Sequence, residues 1–213
     1  MNLFLLKFEK LFLVILFIFY IISPIILINN TTLFKYSYVV IFFNFLILLL
    51  FQKNKFNNKA LFIFIFLYFI FLSIEIIGVK TGKIFGQYYY GNSLGPKFLE
   101  VPLTIGLNWI FLTYMTYSIV NIFKMNDYLK IILASCLMIF YDVILEEIAA
   151  FMGLWYWINN TVPLLNYVSW FLISLSAHLF LTLFKVEIKN NMSFFVYFFQ
   201  IIFFVIIKII SKV

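Results

Sequence analysis

Seven apolar stretches, each close to the length that crosses a lipid bilayer, divide this chain: 11–28, 34–51, 60–79, 101–123, 130–152, 163–184 and 193–210. A membrane-spanning helix needs about 20 mostly apolar residues at about 1.5 Å of rise each, and the second stretch falls short of that. Composition closes off the alternative. With 66% hydrophobic and 11% charged residues, and a mean hydropathy of +1.11, one soluble core of 213 residues has no room to hide its Phe, Ile and Leu from water. The expected fold is all-α: a polytopic integral membrane helix bundle of about seven transmembrane helices. It forms a single domain over 1–213, multi-pass in a cell membrane of the bacterial inner-membrane kind. Lys7 and Lys10 precede the first stretch, as in a signal peptide. That run outlasts a signal h-region, and no small-residue cleavage pattern follows it, so an anchor is expected.

The charge pattern excludes a nucleic-acid partner despite a net charge of +7. All 15 basic residues are Lys, set singly or in short clusters between the apolar runs. Such lysines belong to membrane-flanking loops rather than to a phosphate-binding face. With the N-terminus inside, the inner loops carry Lys7, Lys10, Lys53, Lys55, Lys59, Lys124, Lys130, Lys185 and Lys189. The outer ones carry Lys35, Lys80, Lys83, Lys97, Lys208 and Lys212. Nine against six favours an inside N-terminus and an outside C-terminus. One cysteine, Cys136, excludes an intramolecular disulfide framework and a cysteine-based zinc cage, and is expected as a buried apolar filler. No P-loop, dinucleotide glycine fingerprint or pair of aspartate-rich diphosphate motifs is present, so no cofactor is expected.

The heavy use of Phe, Ile, Lys, Asn and Tyr is what AT-rich codons favour, an expectation that the base composition of the coding sequence tests. The 31 Phe are then mostly lipid-facing bulk, and the residues that resist the drift carry the information. Five of the seven glycines, Gly78, Gly82, Gly86, Gly91 and Gly95, lie between residues 78 and 95, around Phe85, Tyr88, Tyr89 and Tyr90 and ahead of Pro96 and Pro102. Glycine permits positive φ and close backbone approach, so this is a shaped loop. All four tryptophans, Trp109, Trp155, Trp157 and Trp170, fall within 109–170. Interfacial anchoring accounts for these rings, and so does an aromatic wall around a lipophilic substrate.

Acids inside apolar helices cost several kcal/mol by insertion scales, which makes each one a functional hypothesis. Glu75, Asp142, Glu146 and Glu147 all lie in apolar runs. Asp142 and Glu146 are four apart and share a helix face, with Ser135, Ala149 and Gly153 on the same stripe. Glu147 points about 140° away from Asp142, toward a lipid edge. Capping or pairing of neighbouring helices is the alternative role for these acids. Helices three and five leave the membrane on the side where helices four and six enter it. By helical rise Glu75 lies about 6 Å and Glu146 about 9 Å below that face. Asn108, Trp109, Asn166 and Trp170 fall in much the same layer. His178 lies about 22 Å in, too deep to join the carboxylates at a metal, and is expected as a hydrogen-bonded structural histidine.

The segment from Glu75 to Trp109 resembles the signature of membrane carotenoid-biosynthesis proteins that include bisanhydrobacterioruberin hydratase and γ-carotene 1′-hydratase. Glu75, Gly78, Thr81, Gly82, Phe85, Gly86, Tyr88, Tyr90, Gly95, Pro96, Val101, Pro102 and Trp109 carry the first block of the likeness. Asp142, Glu146, Ala149, Trp155, Trp157, Pro163, Asn166 and Trp170 carry the second. The likeness covers about residues 70–184. Glu147 stands where a proline is usual, and Glu100 where a small residue is expected.

This resemblance implies addition of water across the terminal double bond of a linear (ψ-end) carotenoid, without a cofactor. Its partners are then the carotenoid, water, membrane lipid and other enzymes of the same pathway. An isolated trisubstituted alkene is a poor base, so its protonation needs a strong, positioned acid and yields a tertiary carbocation. Two close carboxyls in low dielectric cannot both ionise easily, so the Asp142–Glu146 pair holds one proton to deliver. Faces of Trp and Tyr stabilise the cation, Glu75 or the second acid of the pair takes a proton from the attacking water, and Asn108 and Asn166 orient that water. The catalytic candidates are Asp142, Glu146 and Glu75. The substrate-binding ones are Phe85, Tyr88, Tyr90, Asn108, Trp109, Trp155, Trp157, Asn166 and Trp170. A carotenoid cyclase begins with the same protonation but excludes water, and a non-catalytic lipophile-binding protein forms no product. Both remain alternatives.

Overall fold

The computed structural model describes residues 3–54 and 56–212. Lys55, one of the lysines used to orient the chain, lies outside the described residues. The seven helices are α1 (Leu3–Asn29), α2 (Ser37–Leu50), α3 (Asn58–Thr81), α4 (Leu103–Val120), α5 (Asp127–Ala149), α6 (Leu164–Leu183) and α7 (Met192–Ser211). Seven spans long and apolar enough to cross a membrane are found among the described residues, so the chain is an all-α membrane bundle. The short second stretch is only 14 residues of α-helix. A preceding 3-10 turn, Thr31–Tyr36, extends it to a span of 20.

Sequence polarity explains the layering. Every residue of α4 from Asn108 to Val120 is buried, and 83% of its most apolar window is shielded, against 17% for α1 and for α2. In a bilayer the most apolar helices face lipid, and α4, the least apolar of the seven spans, turns Asn108, Thr113, Thr116 and Ser118 into the bundle. α4 accordingly touches α2, α3, α5, α6 and α7. On α5 the buried residues Ile131, Ala134, Ser135, Met138, Tyr141, Asp142, Leu145, Ile148 and Ala149 repeat at three and four, one face of a helix. Ile132, Phe140 and Val143 are exposed on the opposite, lipid-facing side. Cys136 is exposed on that side too, which corrects the expectation of a buried filler: its position falls on the outer face of α5. Outward Phe62 and Phe69 of α3, and Phe42 and Phe43 of α2, form the apolar exterior that a bilayer covers.

Capping sets where the helices begin. The Asn57 side chain accepts from the Ala60 N–H at 2.8 Å, and the Asn126 side chain from the Leu129 N–H at 2.9 Å. Each satisfies a helix-terminal donor that would otherwise lack a partner. α5 ends at Ala149, so Gly153 leaves the Asp142 stripe on which the helical reading put it. It instead turns the chain at φ 67°.

The connections after α3 and α5 pair with each other. Strand β1 (Tyr88–Tyr90) runs antiparallel to β4 (Trp155–Trp157), with Tyr88 opposite Trp157, Tyr89 opposite Tyr156 and Tyr90 opposite Trp155. The ribbon continues through Gly91, whose N–H donates to the Leu154 carbonyl at 2.8 Å. A Cβ at Gly91 would meet the Gly153 oxygen at 2.1 Å, so only glycine lets the two backbones approach this closely. A small hairpin follows, β2 (Lys97–Phe98) with β3 (Val101–Pro102), turning through Leu99 at φ 49° and Glu100 at φ 72°. Two positive φ values suit the two-residue turn of a twisted hairpin. The left-handed backbone at Glu100 is the physical reason to expect a small residue there.

Candidate active site

Alternation along the ribbon turns Tyr88 and Tyr90 inward and leaves Tyr89 exposed. Both inward phenols reach the same oxygen of Glu75: Tyr88 OH donates to Oε2 at 2.6 Å and Tyr90 OH at 2.7 Å. The indole N–H of Trp109, on α4, donates to Oε1 at 2.7 Å. Glu75 is 3% exposed, so three donors from two elements replace the water that this carboxyl has lost. Burial first, and then the charge of Glu75, hold the Tyr88 and Tyr90 phenols well above their ordinary value. Both therefore stay protonated and donating.

The carboxyls of α5 are held differently. The Trp155 and Trp157 indoles donate to Glu146 Oε2 at 3.1 and 2.8 Å. The Asn166 amide, from the first turn of α6, donates to Asp142 Oδ2 at 2.9 Å and reaches Glu146 Oε1 at 3.4 Å. One amide thus joins the two acids that the four-residue spacing stacks on one face. Asp142 is fully buried, and its Oδ1 has no hydrogen-bond partner among the described residues. A buried unpartnered carboxyl oxygen is uncommon and demands a reason.

Two cavities share walls at this layer. The smaller, about 20 Å³, lies among Glu75, Tyr88, Tyr90, Glu146, Trp157 and Asn166, with Phe85, Ile105, Trp155 and Trp170 completing it. Trp170 stacks on Trp109 at 4.0 Å between ring centroids, and Phe71 stacks on the same indole at 5.3 Å. A volume of this size takes one water molecule when two to four polar partners surround it. The larger cavity, about 350 Å³ and almost wholly apolar, runs between α1, the 3-10 turn, α2, α4, α5 and α7. Ile105 and Trp155 form walls of both.

Of the twelve residues singled out in the sequence, nine line the small cavity: Glu75, Phe85, Tyr88, Tyr90, Glu146, Trp155, Trp157, Asn166 and Trp170. Trp109 lies behind it, bonded to Glu75. Asn108 lines the larger cavity instead, and Asp142 borders neither, standing behind Asn166. Glu147 faces outward, as helical arithmetic expects, and pairs with Lys208 at 2.7 Å. His178 sits in a separate deep cluster, 2.7 Å from the Ser174 carbonyl and 2.9 Å from the Thr116 hydroxyl. That matches the hydrogen-bonded role expected of it.

Apart from Asn108 and Trp155, the walls of the larger cavity carry none of the residues singled out in the sequence. Polar residues in mid-span were the available signal, because hydrocarbon tolerates them only with partners. Tyr20 OH donates to Asn44 at 2.7 Å and Tyr141 OH to Gln200 at 2.9 Å, joining α1 to α2 and α5 to α7 around this cavity.

A family model described as carotenoid biosynthesis protein matches residues 34–213, well beyond the 70–184 covered by the motifs. Among curated proteins and among solved structures, no match was found.

Proposed function

Because the chain belongs to the carotenoid biosynthesis protein family, we propose that its acid cavity hydrates the terminal double bond of a linear carotenoid to a tertiary alcohol. The observation that carries this reading is the small cavity itself. It has room for one water, borders two glutamates, and shares Ile105 and Trp155 with an apolar cavity of 350 Å³. A cyclase works by keeping water from its cation, so a polar, water-sized space beside the acids favours the hydratase.

The step balances without a cofactor. A carboxyl proton adds to the less substituted alkene carbon, and the electron deficiency falls on the tertiary carbon. The oxygen of water then bonds to that carbon, and the proton it sheds returns to a carboxylate. Glu146 borders the cavity, which supports giving it the acid role. Asp142 shares the Asn166 amide with it, and two acids so joined hold one proton between them more readily than none. The orphaned Asp142 Oδ1 is where such a proton resides. Glu75, an acceptor braced by three donors, serves as the fixed negative charge, and the Asp142–Glu146 pair takes back the proton that water sheds. The Tyr88, Trp157 and Trp170 rings face the cation.

Expression in a host that makes lycopene or γ-carotene, in water enriched in heavy oxygen, tests the reading. A carotenoid heavier by one labelled water is expected. Label taken from molecular oxygen, or an isomer of unchanged mass, overturns it, the second outcome in favour of a cyclase. Asp142→Asn is expected to abolish product while the protein stays in the membrane, and full activity in that variant removes Asp142 from the proton pair.

A further inference from the structure

The apolar cavity has features that the hydration chemistry does not use. Along α1 it extends from Phe19 to Leu27, about 12 Å at 1.5 Å per residue. Its volume, about 350 Å³, sits at the low end of the range for ligand pockets, roughly 300–1,000 Å³. Rings make up much of its wall, with Phe19, Tyr20, Tyr141, Trp155, Phe203 and Phe204 contributed by α1, α5, β4 and α7. A wall of flat, polarisable faces packs best against another flat π-system.

Ser23 supplies an independent sign. It lines this cavity, and its Oγ is buried with no hydrogen-bond partner among the described residues. Pro24 follows it inside α1 and lacks an N–H, so the Tyr20 carbonyl also loses its intrahelical donor. A helix that presents an unsatisfied hydroxyl to an apolar cavity gains from an occupant able to accept a hydrogen bond weakly along its length. The face of a conjugated double bond does so, and a saturated acyl chain does not.

We propose that this cavity is the seat of the conjugated isoprenoid chain next to the reacting end, with α1 as its outer wall. The inference rests on the hydratase reading for the identity of the chain. The terminal alkene then passes between Ile105 and Trp155, the two residues common to both cavities, and meets Glu146. Phe19, Tyr20, Ser23, Ile26, Leu27 and Leu33 all precede residue 34, where the family match begins. The wall that gauges the chain therefore comes from a segment that the family match does not cover, and α1 becomes the element that sets which linear carotenoid is accepted.

Single cysteines at this wall, Ser23→Cys and, separately, Leu27→Cys, each in a Cys136→Ser background, provide the test. The full-length protein in membranes is reacted with a lipophilic maleimide, alone, with lycopene, or with a diacyl phospholipid bearing saturated chains. Lycopene is expected to slow labelling at both positions at least tenfold, and the phospholipid to leave it unchanged. Absence of protection by lycopene at both positions, or equal protection by the phospholipid, overturns the assignment and leaves a lipid groove. Product formation is scored in parallel with the unmodified protein. Protection without hydrated product sinks the hydratase reading and keeps the chain seat. Hydrated product without protection does the reverse.

Discussion

Glu75 on α3 and the Asp142–Glu146 pair on α5 are carboxyls at similar depth in the same bundle, yet the structure treats them in opposite ways. Glu75 receives three short donations, from Tyr88, Tyr90 and Trp109, and has no unmet oxygen. On α5 Glu146 takes two indole donations and shares the Asn166 amide with Asp142, and among the described residues Asp142 Oδ1 has no partner. A fully satisfied carboxyl is rigid and cheap to keep buried, whereas an incompletely satisfied one is costly and retained for what it can exchange. The contrast teaches that one acid anchors the architecture of the site while the other two are kept for proton transfer.

The largest effect expected from breaking this contrast falls on turnover. Glu146→Gln should lower hydrated product by about 10²–10⁴-fold, the usual range for a general acid or base, with a smaller loss of thermal stability in detergent than Glu75→Gln because Glu146 is less completely buried. Product at the parental level would remove the acid role from α5. Glu75→Gln should show the converse emphasis. An amide there keeps one acceptor oxygen and sets its NH2 against either the Tyr88 and Tyr90 donors or the Trp109 donor, and each buried group left unmatched costs about 1–3 kcal/mol. Its unfolding midpoint should therefore fall well below that of Glu146→Gln, and equal midpoints would erase the division of roles. Tyr90→Phe removes one donation to Glu75 and should cost about 1.5–3 kcal/mol, read from the same unfolding curves. The smallest effect is expected for Trp157→Phe. Glu146 keeps its bond from Trp155 while losing the 2.8 Å one, and turnover should drop about tenfold, equivalent to about 1.4 kcal/mol of barrier. A Trp157→Phe protein destabilised as strongly as Tyr90→Phe would make Glu146 a structural acid like Glu75.

Much of this site was legible because its signals are local. The four-residue spacing of Asp142 and Glu146 places both on one helical face wherever that helix packs. The glycines between 78 and 95 announce a shaped loop before any partner for it is known. Where local signals stop, the reading stopped too. Helical spacing continues the acid stripe to Gly153, but α5 ends at Ala149, and residue type favours a buried Cys136, but the outer face of α5 carries it. Asn108 falls in the right layer, yet it turns into the apolar cavity rather than toward the acids, because depth along a helix does not specify azimuth.

By itself the sequence determined the membrane, the seven spans, the layer of acids and aromatic rings near one face, and the family likeness. Hydropathy and helical periodicity act over about 20 neighbouring residues, and nothing distant changes them. Only the tertiary structure decided the rest. It paired Tyr88–Tyr90 with Trp155–Trp157 across some 65 residues of chain, so that inward phenols serve Glu75 while inward indoles serve Glu146. It brought α1 beside α7, and with it Ser23 to the wall of a cavity that shares Ile105 and Trp155 with the acid cavity. Ribbon register and helix-to-helix azimuth arise from packing between segments far apart in sequence, and these set which oxygen is braced and which is left free.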